Sequence, residues 1–279
     1  MAVHPRTNAV RCSNSNLQIV HAQPGNMRHL KPCTGTLGNH GFMDTHPDKQ
    51  AERERIKDVY RRWHGGAALD RYAWHRPDIL QQVAARSRVF AALLCDTVGG
   101  DLSGLRVLDV GCGSGGFLRQ LIDWGADPAR LTGTELQQDR LDQARRVTAG
   151  NVQWRLGTLD TMGLRGFDLV SAQTVFSSIL DPALRRELAD QMWRALRPGG
   201  WCLVFDFRYD NPRNRNVRKL TRAELDGFWP GTSSRYRSLL LAPPLHRLLA
   251  HGPWMVSDLL AAVAPPLRSH FMYMVQKGG

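Results

Sequence analysis

Leu105-Arg-Val-Leu-Asp109-Val-Gly111-Cys112-Gly113-Ser-Gly115-Gly116-Phe-Leu118 is the stretch on which the fold of this 279-residue chain turns. Val107 to Val110 is a short apolar run that reads as a buried parallel strand. It breaks into Gly111-x-Gly113-x-Gly115-Gly116 and resumes as an amphipathic helix through Phe117, Leu118, Leu121 and Ile122. Strand, glycine turn and helix start together form the nucleotide-cofactor turn of an open α/β sheet. The glycines let the backbone turn tightly and approach a ligand, and the helix N-terminus offers unpaired N–H groups.

The glycines alone do not choose the ligand, because Gly111, Gly113 and Gly116 also satisfy the dinucleotide pattern G-x-G-x-x-G. Asp109 does choose. It stands two residues before the first glycine, where a carboxylate faces the ligand. A dinucleotide brings an anionic pyrophosphate to this turn, and like charges repel strongly in a low-dielectric cleft. S-adenosylmethionine brings an ammonium and a sulfonium, both of which a carboxylate attracts.

Asp109-x-Gly111-x-Gly113-x-Gly115 resembles motif I of the class I S-adenosylmethionine-dependent methyltransferases, and the match continues in order to about residue 207. The resemblance implies a Rossmann-like, doubly wound α/β fold. Its seven-stranded sheet is mostly parallel with an antiparallel last strand, and helices cover both faces. It also implies S-adenosylmethionine as cofactor, held by Asp109, Gly111, Cys112, Gly113, Gly115, Glu135, Leu136, Thr158, Leu159 and Gln173. Glu135 has a reading of its own. It ends a second short strand, Leu131 to Thr134, at the distance from the first glycine expected of a ribose-binding carboxylate. The same position also suits an acid in the first turn of the helix Leu136 to Val147, for dipole reasons. After the third strand, Val152 to Leu156, the family's Gly-Asp-Ala turn reads Gly157-Thr158-Leu159-Asp160 here. Adenine recognition then passes to the Thr158 hydroxyl, the Leu159 N–H or Asp160.

Phe167 to Gln173 resembles the fourth strand, with Asp168 at its start. Asp181-Pro182 opens a helix with the stripe Leu184, Leu188, Met192, Leu196, which ends at the turn Arg197-Pro198-Gly199-Gly200 before strand five, Trp201 to Phe207. The loop from Asp206 to Arg218 is rich in guanidinium and amide groups and begins where open α/β sheets bind ligands. Arg208, Tyr209, Arg213 and Asn214 are therefore candidate acceptor-binding residues, against the alternative of a solvated loop that satisfies its own backbone. This string is similar to that of small bacterial methyltransferases found among surface-polysaccharide or secondary-metabolite genes. A capping box at Thr221–Glu224, a strand at Arg237 to Leu241, a helical insertion at about Leu245 to Val263 and a last strand, Ser269 to Val275, complete the pattern.

Upstream, residues 1–42 carry four basic residues and no acid and show no apolar periodicity, so they read as a disordered tail. A sharper expectation is that translation begins at Met43. Residues 43–279 then form one domain: N-terminal helices over 43–104, a cofactor-binding core over 105–207, and an acceptor side over 208–279. The helix from Asp48 to Trp63 carries Ile56, Val59, Tyr60 and Trp63 on one face. The resemblance implies that Tyr60 or Tyr72 folds over the cofactor, though ordinary packing explains the same pattern. A second helix, about Ile79 to Thr97, has an apolar stripe including Leu80, Val83, Phe90, Leu93 and Leu94.

A formal charge of +12 invites a nucleic-acid reading, but the basic pairs stand far apart and never alternate with aromatics. The five cysteines show no zinc spacing, so no metal site is expected, and buried thiols suit a cytoplasmic protein. Methyl transfer is an in-line displacement that needs alignment more than chemistry. A hydroxyl acceptor gains from a base, for which Asp206 is the first candidate and His75, His246 and His270 are the others. The expected reaction is methyl transfer to a small-molecule or glycan acceptor, most simply at oxygen. An RNA or protein methyltransferase and a non-catalytic cofactor-binding regulator are the alternatives.

Overall fold

A computed structural model describes residues 47–63, 73 and 75–279. The basic tail, the start at Met43 and Tyr72 lie outside the described residues. Seven strands form one sheet in the order β3-β2-β1-β4-β5-β7-β6. They are β1 (Val107–Val110), β2 (Leu131–Glu135), β3 (Gln153–Leu156), β4 (Phe167–Gln173), β5 (Leu196–Phe207), β6 (Ser234–Leu241) and β7 (Arg268–Gln276). The first five run parallel, and β7 inserts antiparallel between β5 and β6. The described helices are α1 (Pro47–Trp63), α2 (Pro77–Thr97), α3 (Gly116–Asp123), α4 (Gln138–Val147), α5 (Pro182–Ala195), α6 (Arg222–Phe228), α7 (Pro243–Leu249) and α8 (Trp254–Val263).

Strand alternation builds two cores. Leu108, Val170, Val204 and Tyr273 face one side, where they meet Met192 of α5 and Phe228 of α6. Val107, Leu169, Leu203 and Met272 face the other, against Phe90 of α2 and Leu118 of α3. Both faces of the central strands are dry, which is why those strands read as unbroken apolar runs.

Four expectations need correction. β5 starts at Leu196 rather than Trp201, because Leu196 pairs with Phe167 ahead of a bulge and the Arg-Pro-Gly-Gly segment continues the strand. The insertion is two helices, broken at Gly252-Pro253, where proline cannot continue α7. Leu80 and Val83 are exposed, so only the C-terminal half of the α2 stripe packs on the sheet. The capping box at α6 is half formed: Thr221 Oγ1 accepts from Glu224 N (3.1 Å), but the Glu224 carboxylate turns to Arg185.

Candidate active site

The carboxyl ends of β1, β2 and β4 open into a cavity of about 400 Å³. Its floor is the glycine turn. Gly111, Gly113 and Gly115 all have positive φ, and Gly115 caps α3 in the left-handed region with no side chain over the helix N-terminus. A Cβ on Gly113 would lie 2.5 Å from the Arg140 guanidinium, and one on Gly115 would lie 2.6 Å from the Trp154 ring. The turn is therefore restricted to glycine by crowding as well as by φ.

Asp109 lines the cavity and is only 2% exposed; it accepts a hydrogen bond from Ser171 Oγ at 2.6 Å. Burial pushes its carboxyl up to about 7, the Ser171 bond opposes this, nearby Glu135 adds to it, and Arg86 pulls it back. Arg86, from α2, lines the same wall, and its guanidinium lies 5.8 Å over the Phe205 ring. Glu135 accepts from Gly113 N (2.9 Å) through one oxygen and from Leu136 N (2.7 Å) and Gln137 N (3.2 Å) through the other. One carboxylate thus ties the end of β2 to the glycine turn of β1. Cys112, Leu136, Thr158, Leu159 and Gln173 also line the cavity, whereas Gly115 lies beneath it. Burial raises the Cys112 thiol well above its usual range, so it stays an uncharged wall. Asp160 does not line the cavity. It is bound to the Thr158 hydroxyl and to Arg53 of α1, so the acid displaced from the usual turn position holds the helix.

The α1 helix covers the cleft through polar contacts. Tyr60 Oη is 2.8 Å from Ser178 Oγ, Arg55 donates to the Ser178 carbonyl (2.6 Å), and Leu180 N donates to Glu52 (2.7 Å). Tyr60 lines the cavity, and the Arg140 guanidinium sits 5.4 Å from its ring centroid. Two buried donors at the cavity, Gln173 Nε2 and Arg140 Nε, have no partner among the described residues. Thr174, next to Gln173, has φ +55°, a strained value for a β-branched residue at the cavity wall.

The expected acceptor loop is not brought to this cavity. Asp206 is fully buried, and its carboxylate accepts from Ser177 N (3.0 Å) and Phe207 N (2.9 Å) away from the lining. Asp206, the first candidate for the base, therefore ties the end of β5 to the short turn 176–178 after β4 and is not among the cavity's lining residues. Arg208 donates to the Pro265 and Arg268 carbonyls, and Tyr209 to that of Pro266. Asn211 and Asn214 accept from Arg213 N and Asn216 N, as in a loop that satisfies its own backbone. None of Arg208, Tyr209, Arg213 and Asn214 lines the cleft. His246 is bonded to Gln81, and His270, pushed down to about 3 by burial, stacks on Phe205; neither they nor exposed His75 reach it. Sequence reasoning missed Arg86, Arg140 and Thr174. The first two looked like ordinary helical arginines, and no local pattern marks the third.

A mostly parallel sheet with an acid before its glycine turn, a second acid bridging two strands and a helix start without a side-chain cap make the cleft of a nucleoside-cofactor-binding α/β domain. Residues 107–200 match the family model described as a methyltransferase domain. The chain is 32% identical over 124 residues to the biotin biosynthesis bifunctional protein BioHC of Cellvibrio japonicus, a match covering 44% of this chain and 24% of that relative. It is 26% identical over 190 residues to the ubiquinone biosynthesis O-methyltransferase of Sinorhizobium fredii, covering 64% of this chain and 73% of the other. The fold is shared with phosphoethanolamine N-methyltransferase 2 of Haemonchus contortus in complex with S-adenosylmethionine (TM-score 0.57, 18% identity, 82% of this chain and 60% of that one). It is shared too with magnesium protoporphyrin IX methyltransferase of Synechocystis with bound S-adenosylhomocysteine (TM-score 0.54, 13% identity, 80% and 100%). Residues 107–200 thus resemble a methyltransferase domain, and the chain shares its fold with solved methyltransferases.

Proposed function

We propose that this chain moves the methyl group of S-adenosylmethionine to a hydroxyl oxygen of a small-molecule or glycan acceptor, in the cytoplasm. The observation that carries the cofactor reading is the buried Asp109 carboxylate on the cavity wall, with cationic Arg86 on the same wall. That pair complements the ammonium and carboxylate of a methionine end, and the Asp109 carboxylate by itself would repel a pyrophosphate. Glu135 would accept from the ribose hydroxyls, Thr158 and Leu159 would meet the adenine, and Gln173 Nε2 has a free proton to donate. Glycines 111 and 113 allow close approach, and Tyr60 closes the cleft from α1. In the reaction a lone pair on the acceptor oxygen forms the new C–O bond as the C–S bond breaks. The electron pair goes to sulfur, and the hydroxyl proton leaves to water.

The far wall supports an organic acceptor. Ile179, Leu184 and Leu188 line it beside Glu187 and Gln191, and apolar surface next to an acid suits an organic ring or chain better than a phosphodiester backbone. The O-methyltransferase name of the Sinorhizobium relative supports oxygen as the acceptor atom. The test is a tritiated-methyl transfer from S-adenosylmethionine to a fractionated lysate. Label in the small-molecule or glycan pool is the expected result. Label confined to RNA or protein would move the acceptor to those classes, and no label in any pool would leave a cofactor-binding regulator.

The Asp109 environment also sets a pH dependence. Its raised pKa means the folded chain holds more protons than the unfolded one between about pH 4 and 7, so Asp109 subtracts stability as pH rises through that window. A cationic ligand reverses this by favouring the charged carboxylate. Affinity for S-adenosylmethionine should therefore fall about tenfold from pH 8 to pH 6, one unit below the carboxyl's midpoint. Titration calorimetry at both values should show this, with the dependence lost in Asp109→Asn. A wild-type affinity independent of pH would remove Asp109 from the cofactor's charge.

A further inference from the structure

The two-helix insertion between β6 and β7 is turned inside out. Leu248 on α7 and Trp254, Met255, Val256, Leu259 and Val263 on α8 are between 46% and 80% exposed. The residue of α8 that is buried is Ser257, whose hydroxyl has no partner among the described residues. Met255, Leu259 and Val263 follow one another at four-residue spacing, so they form one continuous outward stripe. A helix packed for its own sake would reverse this arrangement, and isolated surface apolars would not line up.

Charge accompanies the stripe. From Arg208 to Gly279 the chain has eleven Lys and Arg against four Asp and Glu, so more than half of the net +12 falls in its last quarter. The sequence-level impression of dispersed charge is corrected here. The basic loop is tied to the apolar insertion: Arg208 and Tyr209 donate to Pro265 and Pro266, and Arg268 donates to the Ala261 and Ala262 carbonyls at the end of α8. Arg213, Arg215, Arg218 and Lys219 follow in the same loop, all exposed. The single acid in α8, Asp258, is paired with Arg88.

We propose that α7, α8 and the 208–219 loop form a docking surface for an anionic lipid bilayer. The apolar stripe enters the headgroup boundary while the arginines meet lipid phosphates. Nucleic acid fits less well, because it offers nothing to an exposed Met-Leu-Val stripe. Topology gives the surface a use. β6 runs parallel to β5, so the insertion and the loop leave the sheet at the same edge as the cofactor cleft. An acceptor carried in the bilayer would meet the methyl donor there; that consequence rests on the proposed methyl transfer, whereas docking does not.

The test is co-sedimentation of the full chain, without methyl donor, on vesicles of phosphatidylcholine alone or with one quarter phosphatidylglycerol. Binding is expected on the anionic vesicles only, and it should weaken from 50 to 500 mM salt. Met255→Glu with Leu259→Glu should reduce binding about tenfold or more. Arg213→Gln and Arg215→Gln should reduce it about fivefold each. Met255→Glu alone, at the most exposed position, guards against misfolding, and all variants should keep the parent's melting temperature. Three outcomes overturn the proposal: no binding to anionic vesicles, binding that survives the double glutamate variant, or a dimer in the parent chain that the double variant dissociates.

Discussion

Glu135→Ala should weaken S-adenosylhomocysteine binding by roughly two orders of magnitude, as read by calorimetry. The carboxylate accepts from three backbone N–H groups, Gly113, Leu136 and Gln137, on both sides of the cleft floor. A charge-assisted hydrogen bond contributes about 1.5–3 kcal/mol, and orphaned buried donors carry their own penalty. With the bridge gone, Gly113 is free to leave its φ +56° conformation and the turn loses its shape before any ribose contact is counted. Glu135→Gln keeps an acceptor oxygen and should lose about tenfold, since one oxygen still reaches the N–H groups without charge. An alanine variant that binds as tightly as the parent would remove Glu135 from the cofactor's surroundings.

The second large effect lies outside the cleft. Arg185 is the largest fully buried side chain among the described residues, and all of its guanidinium nitrogens donate. Nε reaches the Ile179 carbonyl at 2.7 Å, Nη2 the Arg218 carbonyl at 3.0 Å, and Nη1 the Lys219 carbonyl at 3.2 Å and Glu224 Oε1 at 3.0 Å. It bolts the segment after β4, the loop after β5 and the start of α6 together. Arg185→Ala leaves three carbonyls and a carboxylate without a donor and should cost about 3–5 kcal/mol, by analogy with broken buried pairs. For a chain of this size that lowers the melting temperature by roughly 10 °C. Arg185→Lys keeps the charge but not the fork and should recover little. Its neighbour Arg186, exposed, with one hydrogen bond to the Phe228 carbonyl among the described residues and its guanidinium over the Phe228 ring, should lose a few degrees at most when changed to alanine. Equal melting points for the two alanine variants would show that water replaces the Arg185 network.

The two arginines look alike in sequence, and that likeness explains what could be read there. Local chemistry is legible. The strand at Val107–Val110, the turn at Gly111–Gly116, the acid ending β2 and the cap at Asp181, whose carboxylate accepts from Ala183 N, all follow from neighbours a few residues apart. The seven-stranded sheet with its antiparallel β7 followed from the resemblance to the methyltransferases rather than from any local rule. Side-chain destination beyond the strand ends was not legible. Asp206 lies one position before the end of β5, yet register turns it toward Ser177 rather than the cleft. Arg208 and Tyr209 point to the start of β7 because the Pro265–Arg268 carbonyls there need donors. Arg86, Tyr60 and Arg140 arrive from three helices, with Tyr60 and Arg140 eighty positions apart in the chain, and no local pattern marks them as neighbours.

The sequence by itself determined the folding class and the cofactor, because both depend on short-range facts. A glycine turn needs positive φ, and one carboxylate before it decides which ligand charge is welcome. Only the tertiary structure decided which charged groups share the cleft, which arginine is a bolt and which is solvated, and that the α8 stripe faces outward. Those outcomes depend on which surfaces meet across the sheet, and burial acts on side chains brought together from distant parts of the chain.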